Sequence, residues 1–549
     1  MELKSNEKSS FELITEESTY LFDNSYIEFL SFGKSATLTL FDELGNNSIY
    51  TIDLNPYPEY KIEESKNGIS FHFNEKFPAD FCELKIINEE GKIISQINVR
   101  SISNFTFSNF LPGKEYKFLL YIDGNFQKEI YNKITPPELP KVKKFDNINV
   151  GEFKLELYDK YKYNYYKIEL DNYVNEGVFE GDNKTFDLPL EKLTKEGTLS
   201  IWREFKGYKT EIIKLKIKDN FLFSQKLYKN LPENLNKKYY IISDDIVIDS
   251  LNSKDLVEFY VFPDKKIIIN GNINNNSKLI FKAIKGQFYG IVLNTGVLRN
   301  VEIYNANIGI SVKNNFDLYN LVIKNCNTGI YGKKYSGTAY NIILYDNKKG
   351  IEMLGGNIEI KNSLFFDNET TFTFYISDVN LYNLSIAESI LDLDIYGSKL
   401  KIKNSSFLNS IESINSSKSD MYITDSKFKN NNKTIKSIED NNLTIENCEF
   451  INNKISLDIF KSSLLIDSSK FIKNDKSIYV YNSQNDKEIK IKNTKFEDNK
   501  IDIYIDGSND VYLENTEINN FFDGNIEPTW VNERGKILKR GKIIKGGKE

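Results

Sequence analysis

The sequence predicts an all-β chain in which two or three small β-sandwich domains precede a stacked β-solenoid. Three observations carry this. A polar mark recurs from Asn305 to Asn515 in steps of 20 to 22 residues, interrupted by one step of 16 and one of 25. Within each repeat apolar and polar residues alternate, as in Leu400-Lys-Ile402-Lys, which is the period of a strand. Ahead of the repeats, short alternating runs lie between turn clusters with almost no helical periodicity.

Residues 1–58, with YIEFLSF, ATLTLFD and SIYTIDL, form either a small β unit of their own or an edge added to the next one. Residues 59–138 hold six alternating runs, from GISFHFN to KEIYNKIT, as a β-sandwich does. Within them Phe110-Leu-Pro112-Gly113-Lys-Glu-Tyr116 resembles the L-x-P-G-x-x-Y corner of fibronectin type III domains, in which the tyrosine hydroxyl ties a strand to an upstream turn. Phe110 stands where that family has Leu, and Phe71 or Phe73 replaces its early core tryptophan. ITPPELPKVKK reads as a proline-stiffened linker. Residues 139–220 predict an Ig-like β-sandwich ending in two strands joined by a Lys-Gly turn.

Residues 221–520 carry the solenoid, since a fixed period of strands leaves edges that only a neighbouring coil can cover. The marks Asn305, Asn325, Asn362, Asn383, Asn404, Asn447, Asn493 and Asn515, with Asp346, Asp425 and Ser468, predict one ladder. Asn suits a tight left-handed corner and can bond the Asn of the next coil. Three positions later Phe365, Phe407, Phe428, Phe450, Phe471 and Phe496 predict stacked rings inside. Cys326 and Cys448, both one residue after a mark, are expected in one column, six coils and roughly 29 Å apart, as packing residues. Residues 521–549 predict a C-terminal cap, with Phe521 to Trp530 closing the stack, and a basic tail with seven Lys or Arg against two acids from Glu533 onward. That tail could attach to an anionic surface, form an edge hairpin or simply solvate the end.

The repeats IKNSSF, ITDSKF, IENCEF, IDSSKF and IKNTKF resemble the right-handed parallel β-helix of the pectate-lyase-like superfamily over about half the chain. The segment KLIFKAIKGQFYGIVLNTGVLRNVEIYNANIGI is similar to the opening coils of such domains in secreted bacterial surface proteins. That fold hosts lyases, hydrolases, esterases, tailspikes and proteins without catalysis, so function has to come from residues. Polygalacturonase-like chemistry would need a histidine, and the solenoid has none; its one arginine is Arg299. A lysine-based lyase or a two-carboxylate hydrolase remains.

The candidate catalytic carboxylates are Glu352, Asp392 and Asp394. Alternation places Asp392 and Asp394 outward and about 7 Å apart, with Glu352 two coils earlier and Asp458 and Asp502 continuing the stripe. They could bind Ca²⁺ or act on a glycosidic bond; they could equally keep an outward face soluble. No other cofactor and no metal site is expected, and the lone His72 reads as an ordinary strand residue. The position before each mark reads Tyr304, Lys324, Tyr345, Lys361, Tyr382 and Lys403, a row whose rings could stack on sugars and whose ammonium groups could meet acidic substituents. A chance alternation joined by cation–π contacts gives the same pattern.

A net charge of −6 gives no reason to expect nucleic acid. The charged start lacks the apolar core of a signal peptide, and no stretch approaches a membrane span. The expected function is a non-catalytic extracellular surface or structural protein, adhesin-like, presenting a β-helix rod on sandwich spacers, with a polysaccharide or cell-surface polymer as partner and homo-oligomers possible. The alternative is a polysaccharide lyase, a hydrolase or a phage tailspike-type depolymerase.

Overall fold

The computed structural model describes residues 2–4, 10–14, 19–22, 26–28, 35–42, 44–53, 60–73, 82–99, 104–122, 125–232, 235–251, 253, 255–271, 273, 277–294, 296–481, 487–505, 510–523 and 543–545. The chain divides into two compact units, Met1–Leu188 with Glu196–Lys218, and Pro189–Lys195 with Asp219–Glu549.

In the first unit, Thr19–Phe22, Ser10–Ile14, Ser35–Phe41 and Asn47–Asp53 make an antiparallel sheet of their own, so the opening residues are not an edge of the next module. A sandwich follows. Tyr60–Ser65, Gly68–Phe73 and Asn104–Phe107 form one layer, and Ile93–Asn98, Cys82–Asn88, Glu115–Ile122 and Asn125–Ile134 the other. Alternation buries Phe71, Leu84, Ile86, Phe118 and Leu120 between them. The Tyr116 hydroxyl accepts the Leu111 N–H at 2.9 Å, and the Phe110 ring meets the Tyr116 ring edge-on at 5.1 Å.

The third module turns on one long hairpin, Glu152–Leu170 against Tyr173–Asp187. The start of its first strand pairs with Val142–Asn149 and the end with Gly197–Phe205, the register shifting between 156 and 164. The Lys-Gly turn is present, with Lys206 and Gly207 both at positive φ. Buried Arg203 pairs with Asp159 at 2.8 Å, donates to Asn164 Oδ1 at 2.9 Å and to the Glu138 carbonyl at 3.3 Å. Lys206 bonds Glu115 at 2.5 Å. The proline segment is therefore a packed joint between two sandwiches rather than a free spacer.

The second unit is a parallel β-helix whose strands run from Leu227–Tyr228 to Ile543–Lys545, all paired in parallel. A regular coil shows its logic. Lys399–Lys403 belongs to a first sheet, Ser406–Leu408 to a second and Glu412–Ser417 to a third. Asn404, Asn409 and Lys418, all at positive φ, make the corners between them. Inward apolar side chains from the three sheets fuse into one core running from Tyr228 to Leu513. Phe407, Phe428, Phe450, Phe471 and Phe496 stack within it at 4.7 to 5.1 Å, whereas Ile386 intervenes before Phe365.

The single ladder is in fact two rows, because each coil carries two marks five residues apart. One row holds Asn300, Asn320, Asn341, Asn362, Asn383 and Asn404 and runs on through Asn447, Asn493 and Asn515; the other holds Asn305, Asn325, Asp346, Asp367 and Asn409. Side-chain hydrogen bonds run from Asn320 Nδ2 to Asn300 Oδ1 at 2.9 Å, from Asn383 to Asn362 at 2.7 Å, from Asn404 to Asn383 at 3.3 Å and from Asn515 to Asn493 at 3.2 Å. The step of 16 is a jump from the second row to the first. For the same reason Cys326 and Cys448 do not share a column: the Cys326 N–H bonds Asn347, and the Cys448 N–H bonds Ser469. Burial pushes both thiols up to about 12. A third, buried row, Asn431, Asn453, Asn474 and Asn499, bonds backbone and side chains coil to coil. Of the expected cap and tail, Phe521–Asp523 and Ile543–Lys545 add strands to the stack, and 524–542 and 546–549, with Trp530, lie outside the described residues.

Candidate functional site

The two-mark register splits the expected Tyr/Lys row. Tyr304, Lys324 and Tyr345 lie on the second sheet, where Tyr345 continues to Phe366; Lys361, Tyr382 and Lys403 lie on the first, where they continue Tyr319 and Tyr340. The second-sheet half is internally satisfied. Tyr304 donates to Glu302 at 2.9 Å, and burial with that bond pushes its phenol well up. Lys324 pairs with Asp346 at 3.3 Å and lies over Tyr345 at 4.6 Å, while Phe366 stacks on that ring at 4.8 Å. Tyr345 thus has no free face for a sugar.

The carboxylates also part company. Glu352, Thr373 and Asp394 follow one another in one column of the third sheet, so the two acids stand two coils, about 10 Å, apart. Lys349 holds Glu352 at 2.8 Å, and Asn415 donates to Asp394 at 3.2 Å. Asp392 is not outward. The strand ladder skips it, pairing Leu391 with Glu412 and Leu393 with Ile414, and at this irregularity both Asp392 and Leu393 turn in. It sits fully buried in a polar row with Thr371, Ser413, Thr434, Ser456 and Asp502, so Asp502 also leaves the expected stripe, while Asp458 stays in the Asp394 column. Burial pushes the Asp392 carboxyl up to about 7, against the pull of the Ser410, Ser413 and Ser389 hydroxyls. Asp392 and Asp394 therefore cannot act as a pair on one substrate. Among the described residues no three His, Cys, Asp or Glu converge as a metal site would require.

A concavity of about 380 Å³ lies instead on the first sheet. Its floor is the outward column Val297, Asp317, Thr338, Glu359 and Asn380, one residue per coil, which spans about 19 Å along the stack. Its wall comes from the corner entering this sheet. Here the corners at 313–315 and 334–336 take three residues, where a later coil takes two, Lys418 and Ser419. Asn315, Ser336 and Asn357 are thereby held over the floor, with the Ser336 N–H on Asn315 Oδ1 at 3.0 Å and the Asn357 N–H on Ser336 Oγ at 3.2 Å. Two glycines allow the coils to approach closely here. A Cβ on Gly337 would come within 2.4 Å of the Phe316 carbonyl, and Gly356, at φ +91°, would meet the Tyr335 carbonyl at 2.1 Å.

Beside the floor, two residues along each strand, runs the row Arg299, Tyr319, Tyr340, Lys361, Tyr382. Arg299 lies over Tyr319 at 4.3 Å, and Tyr340, 42% exposed, offers the most open ring of this row. A polar trough flanked by rings at coil spacing suits hydroxyl-rich, ring-shaped units in series. Sequence reasoning missed Asp317, Tyr319, Thr338, Tyr340 and Glu359. The available signal was the pair of marks five residues apart, which assigns Tyr319 and Tyr340 to the row holding Lys361 and Tyr382.

Residues 393–518 match a family model described as right handed beta helix region, in keeping with the winding that the repeats implied. No curated protein matches the chain. Among solved structures, a two fibronectin type-III domain segment from chicken tenascin is 12% identical, covering 29% of this chain and 98% of that one at a TM-score of 0.22. The FN1–FN3 domains of chicken CNTN1 are 9% identical, covering 39% and 91% at 0.18. The chicken interferon gamma receptor alpha chain is 9% identical, covering 29% and 97% at 0.16. Among the described residues no helix is long and apolar enough to cross a membrane.

Proposed function

We propose that the chain is a non-catalytic extracellular surface or structural protein whose β-helix binds polysaccharide along the first-sheet trough, with the sandwich modules as its spacers. The observation that carries this reading is the alignment of a mostly polar floor with a flanking row in which Tyr319, Tyr340 and Tyr382 occupy three of four successive coils, Lys361 the other. An extended glycan repeats at a similar spacing, so successive sugars can meet a polar side chain below and, in the coils of Tyr319, Tyr340 and Tyr382, a ring beside. The engaged state of Glu352, Asp394 and Asp392 supports binding over cleavage.

Affinity electrophoresis in gels cast with a panel of polysaccharides tests it. Retardation by at least one glycan is expected, lost in Tyr340→Ala and kept in Tyr304→Ala and Tyr345→Ala; the reverse pattern would refute the trough. One observation favours the depolymerase alternative: Asp317 and Glu359 stand two coils, about 10 Å, apart on one floor, near the upper end of the separation that inverting hydrolysis uses. New reducing ends that vanish in Glu359→Gln would replace binding by hydrolysis.

A further inference from the structure

The trough has a sign. The ionisable side chains lining it are Asp317 and Glu359, both acids. The nearest cation on the flanking row, Lys361, is held by Glu359 at 3.0 Å and lies over Tyr382 at 5.6 Å, and Arg299 is spread over the Tyr319 ring. Asp317 takes the Thr338 hydroxyl, and among the described residues no ammonium or guanidinium lies within 4 Å of it. Asp317 thus presents a carboxylate without an ion-pair partner among the described residues at the middle of a concave polar surface.

We infer that the trough selects a glycan built from amino sugars and rejects one bearing carboxylates or sulfates; this rests on the glycan-binding reading above and specifies its ligand. A hexosamine ammonium near Asp317 makes a charge-assisted hydrogen bond, and the hydroxyls of the same sugar can use the oxygens of Asn357 and Asn380 while a ring packs on Tyr340. A uronate would bring a like charge to two acids on the floor while Lys361 is already held by Glu359, a repulsive element that supplies specificity. The lysines expected to meet acidic substituents each have an acid nearby: Lys324 and Lys361 pair with Asp346 and Glu359, and Lys403 lies 3.8 Å from Asp425.

The test is titration calorimetry of the full chain with three probes, a glucosamine oligomer, its N-acetylated counterpart and a galacturonate oligomer of equal length, at about pH 6, where the amine is protonated. Tightest binding is expected for the glucosamine oligomer, weaker for the acetylated one and none for galacturonate. Asp317→Asn, which keeps the shape and an acceptor for Thr338, should weaken the glucosamine oligomer about tenfold and leave the acetylated one little changed. Asp498→Asn, at the corner between the strands Lys495–Glu497 and Ile501–Ile505 and not in the trough lining, controls for bulk charge and should change nothing. Tighter binding of galacturonate, or an Asp317→Asn variant indistinguishable from the parent, overturns this inference while leaving glycan binding intact. Failure of all three probes overturns the inference, and the glycan reading falls separately only if the wider polysaccharide panel also fails.

Discussion

Asp392 shows what one side chain can do to a stack of coils. Its ordinary value is 3.8, and burial raises it to about 7 in the fold. The folded state thus keeps a proton that the unfolded chain gives up, and stability falls as pH rises from about 4 through about 7, by about 4 kcal/mol if the whole shift acts. Burial raises Asp458 in the same sense. Asp392→Asn should remove most of this slope. Thermal melts across that range should show the parent losing midpoint with pH, the variant losing less, and the two converging near pH 4; parallel curves would contradict the buried, protonated carboxyl. Alternation alone could not reveal this position, because a strand that opens on an irregularity turns two consecutive residues inward, and only the serines around Asp392 hint at a polar interior row.

At the scale of the element, the phenylalanine stack is legible in spacing because an apolar ring with no polar handle recurs at one offset, and burial is what such a column gains most from. Phe428 has a ring on each side, at 4.7 and 4.9 Å and nearly parallel. Phe428→Ala should cost about 3–5 kcal/mol in urea unfolding, since neighbouring coils hydrogen-bonded along three sheets cannot collapse into the gap. A loss under about 1 kcal/mol would contradict a close-packed core. The corners were half legible: asparagine at positive φ was expected, but two asparagines five residues apart serve two different corners, and reading them as one row moved Tyr304 and Lys324 onto the face of Tyr382. Each misplacement of a site residue except Asp392 and Asp502 follows from that merger.

For the whole molecule, the architecture follows from period and alternation, whereas the trough depends on features that periodicity averages away. Three-residue corners at 313–315 and 334–336 are departures from the repeat that wall the recess, and Gly337 and Gly356 let neighbouring coils approach closely beside it. The joint of the sandwiches likewise rests on Arg203, a buried charge with no signature in an alternating strand. Hydrogen–deuterium exchange with and without a glucosamine oligomer tests the central claim most directly. Added protection is predicted at 315–319, 336–340, 357–361 and 378–382, one strand start per coil of the first sheet. Protection confined to the second-sheet segments around Tyr304, Lys324 and Tyr345, or none in the β-helix, would contradict it.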